Sequence, residues 1–334
     1  MKPAEIKRLD WWKYNAFFML EFLLGTEKFN KVFGRKKNQL YAHIDSYLAS
    51  QSVGGTKEVE ELDVNISREE FLKLREHSIE PKVFRGAAKN WEAVQKWNLD
   101  FFIEEHGHKE IILTDNVGLS NQEFEKITLA QYINQIKSGA LKYLQFSEIV
   151  NDDEKLKNNF DLKWLRQHTL PFSWGEDLKM FMGGKGSITP FHVGFSYFLF
   201  IQVMGKKKWI LYPPNNRLYL DAKSDRSFYF YSNYNPKIEN NHQFGLMKYA
   251  TRYEVTLEPG DILWVPSFTW HYVENLTDTI GIRYGHTSIP AALKSSKQFT
   301  QLIFMATKPN LLTHFIVSRT KKRELEFIKS RRKK

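Results

Sequence analysis

From residue 177 onward apolar residues come in short runs broken by turn residues, and the texture lasts until Pro290. The runs at 196–204, 207–212, 252–257, 262–265 and 279–284 are each of strand length. Between two of them, Glu258-Pro259-Gly260-Asp261 sets proline and glycine at the central places of a type II turn. Closely spaced short strands predict a β-sandwich or barrel. Upstream, the capping boxes Ser67-Arg68-Glu69-Glu70 and Thr128-Leu129-Ala130-Gln131 predict helix starts. Lys82-Val83-Phe84-Arg85-Gly86 predicts a strand closing on a glycine turn, and residues 91–106 read as helical. At the N-terminus residues 11–24 are apolar on most of a helical circumference, with Asp10 as N-cap and Gly25 as stop. Such a helix needs a cover, and docking onto the body or a dimer mate is expected in preference to membrane-surface attachment. Residues 34–55 read as a connecting region, and the chain after Pro290 reads as helical. The expected division is a helical segment at 1–55, a β domain at 56–290 and a basic helical extension at 291–334.

Composition narrows the class. Hydrophobic residues make up 42% of the 334 and aromatics 15%, enough to build a large core. No stretch approaches the ~20 apolar residues of a membrane span; Glu21 interrupts the longest candidate, 16–24. Cysteine is absent, which excludes disulfides and thiolate ligands. With no signal-peptide pattern at the N-terminus, a cytoplasmic protein is expected. The net charge of +11 suggests nucleic acid until it is located. Nine Lys/Arg against Glu324 and Glu326 place +7 of it in residues 319–334, and the other 318 residues carry only +4. A basic tail on a balanced body argues for a solvated terminal helix and against a nucleic-acid groove.

Candidate chemistry centres on Thr189-Pro190-Phe191-His192-Val193-Gly194 and on His271, which follows the turn Pro266-Ser267-Phe268-Thr269-Trp270. Either histidine alone would be unremarkable. Within Lys206-Lys207-Lys208, strand alternation puts Lys207 on one face with Trp209 and Leu211, leaving its neighbours on the other. One lysine is thereby able to enter a barrel whose surface carries the other two. Phosphate-binding glycine loops, nucleophile elbows and helical zinc-type His pairs are not found.

Glu80-Pro81-Lys82-Val83-Phe84-Arg85-Gly86, Lys142-Tyr143-Leu144-Gln145, Thr189-Pro190-Phe191-His192, Leu211-Tyr212-Pro213-Pro214, Pro259-Gly260-Asp261 and Trp270-His271 occur in an order and spacing that resemble the cupin-like JmjC oxygenases, close to the asparaginyl-hydroxylase branch. That resemblance implies a double-stranded β-helix, or jelly roll, that uses Fe(II), 2-oxoglutarate and O2. It maps His192 and His271 onto two metal ligands, Lys207 onto the partner of the distal carboxylate of 2-oxoglutarate, and Thr189 and Tyr143 onto hydroxyls that bind the same carboxylate. Three positions depart from the pattern. Gly194 replaces the acidic ligand of His-x-Asp/Glu, Phe198 replaces an asparagine, and Arg283 stands approximately where another asparagine is expected.

Glycine at 194 is similar to the arrangement in Fe(II)/2-oxoglutarate radical halogenases, where chloride or bromide takes the carboxylate's place. Halogenation of an unactivated C–H is therefore the favoured expectation. The alternatives are a jelly roll that binds without catalysis and a hydroxylase with water in the vacant position. Arg283, if it points inward, would hold an anion near the metal. The substrate, whether small molecule, carrier-tethered molecule or peptide, is not legible. The aromatic run at 228–234 reads equally as packing or as a cover for the barrel mouth. A homodimer through the C-terminal helices is implied by resemblance alone.

Overall fold

The computed structural model describes residues 6–51, 54–77, 79–114, 124–224, 229–238 and 242–307. Eight strands form its centre: β1 Trp174–Gly183, β2 Ile188–Val193, β3 Tyr197–Met204, β4 Lys207–Tyr212, β5 Thr251–Leu257, β6 Ile262–Val265, β7 Trp270–Asn275 and β8 Thr279–Thr287. One sheet runs β1-β8-β3-β6 and the other β2-β7-β4-β5, with antiparallel pairing throughout these eight. Consecutive strands change sheet except between β4 and β5, which is the jelly-roll winding of a double-stranded β-helix. The edges are covered. Gly55–Glu58 pairs with β5, Lys82–Phe84 with β6, Tyr143–Ser147 with β1 and Phe230–Tyr231 with β2.

Alternation along the strands divides the apolar residues among three cores. Inside the barrel, Phe198 and Phe200 of β3 meet Trp209, Leu211, Val255, Leu263 and Val273. Leu199, Ile201 and Val203 of the same strand face outward into a cluster with Met180, Ile282, Phe102 and Tyr132. The outer face of the second sheet, with Phe191, Ile210, Trp270 and Tyr272, packs under helices α1 (Arg8–Leu24) and α2 (Thr26–Leu48) and the helix Lys297–Phe304. Burial on both sides explains why β6 is a continuous apolar run and β3 one broken only by Gln202, without alternation.

Several local expectations hold. Ser67 and Glu70 exchange backbone and side-chain hydrogen bonds, and Thr128 with Gln131 completes the second capping box. Gly260 has φ +95° in the turn entering β6, as a type II turn requires. Others are corrected. α1 begins at Arg8, so Asp10 lies inside its first turn, buried and 3.4 Å from His43 Nε2, and is not the cap. The helix buries one stripe, Trp11, Tyr14, Phe18 and Phe22, and leaves Leu9, Trp12, Leu23 and Leu24 exposed. The expected connection at 34–55 is largely helix. Phe29, Leu40, Ile44 and Leu48 give α2 a buried stripe at helical spacing, and Gly34 lies within it. Residues 91–106 are helical as expected, in two pieces, Glu92–Lys96 and Leu99–His106, because the Asn98 side chain accepts from Phe101 N–H and caps a new start. The basic segment 319–334 and Phe228 lie outside the described residues. Among the described residues no helix is long and apolar enough to cross a membrane.

Candidate metal and carboxylate site

His192 and His271 are direct register partners on β2 and β7, with ring centroids 4.1 Å apart. Each ring Nδ1 lies 2.9 Å from the carbonyl two residues before it, Pro190 O and Thr269 O. That bond places the proton on Nδ1 and leaves the Nε2 lone pair for a metal. Burial pushes His192 down to about 4. It pushes His271 well below the usual histidine range, with the His192 and Arg283 charges adding to the effect. Both rings are therefore neutral near pH 7, the form that ligates. Tyr229 stacks on His192 at 5.3 Å, and Trp209 and Phe198 contact His271 at 5.8 and 5.9 Å.

Gly194 follows the end of β2. Its carbonyl accepts the Phe268 N–H at 2.8 Å, and Phe268 is a buried non-glycine residue at φ +58°. A Cβ added at 194 would meet only Ser196 O, at 3.9 Å. Neither packing nor the backbone angle demands glycine there. Among the described residues, no third His, Asp or Glu gathers with the histidine pair.

Lys207 enters the barrel from β4 and is completely buried, while Lys206 and Lys208 pair outside with Glu258 and Glu254. Its Nζ donates to Tyr143 Oη at 2.9 Å and lies 4.8 Å from the Phe200 ring centre. Among the described residues no carboxylate pairs with it, and burial alone drives its pKa from 10.5 down to about 7. Burial also raises the Tyr143 phenol, while the Thr189 hydroxyl beside it pulls the other way. Gln145 Nε2 reaches to 3.5 Å from Thr189 Oγ1. A buried cation bonded to a phenol, with a hydroxyl beside that phenol and no carboxylate partner among the described residues, has the donor set a carboxylate needs.

Arg283 points inward. It is the register partner of Phe200 and of Lys179, and its guanidinium lies 5.2 Å from the Phe198 ring centre, Phe198 also being a neighbour of His271. Its Nη1 donates to Asp177 Oδ1 at 2.7 Å. The group occupies space above Gly285, where a Cβ would come within 2.1 Å of Nη1. Phe198 forms the apolar floor between the cation and the histidines. The aromatic run divides its roles. Phe230 belongs to the outer core, whereas Tyr229 covers His192. Asp177 and Lys179 escaped notice in the sequence, although alternation with the inward Phe181 marks them.

The chain is similar to several curated proteins over part of its length. It is 33% identical over 122 residues to human "HSPB1-associated protein 1", covering 35% of this chain and 24% of that protein. It is 32% identical over 129 residues to zebrafish (Danio rerio) "2-oxoglutarate and iron-dependent oxygenase JMJD4", covering 37% and 30%. It is 39% identical over 108 residues to "Arginine-specific demethylase JMJ20" of Arabidopsis thaliana, covering 31% and 22%. The aligned parts thus span less than a third of these relatives' own lengths. A family model described as "Cupin-like domain" matches residues 68–291, more than half of the chain and all eight barrel strands, and the chain belongs to that family.

Proposed function

We propose that this protein is an Fe(II)- and 2-oxoglutarate-dependent radical halogenase in which chloride or bromide takes the position left by an acidic ligand. One observation carries the proposal: Gly194 leaves open space two residues from His192, and no other acid among the described residues replaces the lost ligand. His192 and His271 would hold the metal through Nε2. Lys207, Tyr143 and Thr189 would bind one end of 2-oxoglutarate, whose carboxylate supplies the counter-charge that buried Lys207 lacks. A halide beside two neutral imidazoles restores both the ligand and the negative charge that glycine removes. The name of the zebrafish relative carries iron and 2-oxoglutarate, which supports the cosubstrate pair.

Bound iron with 2-oxoglutarate would supply oxygen activation sufficient to remove a hydrogen atom from an unactivated carbon. The balance is substrate C–H, 2-oxoglutarate, O2, halide and one proton giving substrate C–halogen, succinate, CO2 and water. Phe198 and Trp209 keep the wall beside His271 apolar, which limits competing entry of water. The test is incubation of iron-loaded protein with 2-oxoglutarate, oxygen and bromide. Halide-dependent succinate and bromide at a metal-bound site in an anomalous-scattering map are expected. Failure to bind iron in chloride buffer ends the reading.

A further inference from the structure

Apart from the histidine pair and the Lys207 group, one further stretch of the barrel wall carries charge. On β1 the inward positions are Asp177, Lys179 and Phe181, and on β8 Arg283 sits directly across from Lys179. Arg283 pairs with Asp177, and Lys179 pairs with Glu148 from the segment preceding β1. These side chains are mostly enclosed, with 13% and 29% exposed in the first pair and 11% and 26% in the second. Two enclosed ion pairs rarely repay their desolvation, and an apolar replacement of similar volume is commonly neutral or stabilising. Fold stability therefore gives a poor account of them. Their position gives a better one. The Arg283 guanidinium and the His271 ring both rest on Phe198, so the charged stretch borders the histidine pair.

On the proposed reading that the histidine pair carries the metal, we infer that the substrate is a free α-amino acid, whose carboxylate is received by Arg283 and Lys179 and whose ammonium is received by Asp177 and Glu148. Cross-strand neighbours stand about 5 Å apart at Cβ, so the long Arg283 and Lys179 side chains can converge on one carboxylate, and Asp177 lies on the same face of β1 two residues from Lys179. A zwitterion exchanges partners with both pairs and leaves no charge uncompensated. A capped peptide or a neutral lipid-like substrate would leave both pairs intact and gain nothing from them. The amino acid's side chain would then extend past Phe198 towards the metal, which places the reacting carbon away from the charged end.

The experiment is calorimetry on the iron-loaded protein under argon with 2-oxoglutarate and chloride. The probes are the proteinogenic L-amino acids, each as the free zwitterion, the N-acetyl derivative and the carboxamide. At least one free amino acid is expected to bind, with about tenfold or greater loss on capping either end. In Asp177→Asn the preference for the free over the N-acetyl form should fall towards one while 2-oxoglutarate binds as before. Absence of binding by every free amino acid, or equal affinity for capped forms, overturns the inference. Because the readout is equilibrium binding without oxygen, it stands apart from the halide-dependent succinate that tests the reaction.

Discussion

Replacing Lys207 with methionine removes a charge from a completely buried position while keeping most of the side-chain volume. In the absence of 2-oxoglutarate this should stabilise the fold. The lysine pKa falls from 10.5 in the unfolded chain to about 7 in the folded one, and each unit is about 1.4 kcal/mol. The charge thus costs on the order of 5 kcal/mol at and below neutral pH as an upper bound, and loss of the donor to Tyr143 gives back about 1 kcal/mol. The sign with pH follows from proton counting. Between about 7 and 10.5 the unfolded chain holds a proton that the folded chain has released, so wild-type stability rises with pH across that window. The methionine variant has no such dependence, so its advantage should be several kcal/mol near pH ~6 and smaller near pH ~9. Urea unfolding across that range, without ligand, measures it. Added 2-oxoglutarate should then stabilise the wild type and leave the variant unchanged. Its affinity for the wild type should weaken by up to about tenfold per pH unit above neutrality, because the carboxylate binds the protonated lysine. A variant less stable than wild type near pH ~6, or a gap that does not shrink as pH rises, would refute the reasoning.

Gly194→Asp places its Cβ in open space, so unfolding free energy should change by less than about 0.5 kcal/mol. Halide should no longer stimulate succinate formation, and product analysis should show hydroxylation in place of halogenation; undiminished halogenation would mean the position is not at the metal. Tyr229→Ala removes the ring stacked on His192 and should weaken Fe(II) binding several-fold with little loss of stability, as read by metal titration and urea unfolding. Phe299→Ala opens a hole among Phe18, Phe230, Phe268 and Trp270 and should cost about 3–5 kcal/mol in urea unfolding. A cost below about 1 kcal/mol would show that this helix is not part of the cooperative core.

Legibility in the sequence followed the range of the interactions involved. Capping boxes and the Pro259-Gly260 turn are decided within four residues, and they form as read. The inward face of Lys207 was also readable, because alternation over three residues is a local rule. Errors arose where a tertiary partner settled the matter. α2 reads poorly as a helix because Gly34 and a polar face weaken its local signal, and Phe29, Ile44 and Leu48 find their partners only once α1 and the sheet are present. The direction of Arg283 could not be decided from a strand residue bordered by glycines. It turns inward because Gly285 leaves room for the guanidinium and Asp177, more than a hundred residues earlier, neutralises it. Nothing in the local sequence of β1 says that Asp177 and Arg283 meet.

Gly194 and Lys207 carry opposite physical information, and together they weigh against a barrel that merely persists. Glycine at 194 is consistent with loss of function as well as with a halide, since an empty corner costs the fold almost nothing. Lys207 is different. Its uncompensated charge lowers the stability of the ligand-free protein, and many apolar substitutions would relieve it. With natural domains held only about 5–15 kcal/mol above unfolding, a barrel with no use for a carboxylate would gain substantially from such a change. Tyr143 accepts from the amine, the Thr189 hydroxyl stands beside the Tyr143 phenol, and Gln145 lies against Thr189. A bound dicarboxylate would offset the cost through charge-assisted hydrogen bonds. Gly194 thus sits in a site whose lysine still bears a stability penalty that a ligand would offset and that substitution has not removed, which favours an occupant beside Gly194 over decay of the whole centre.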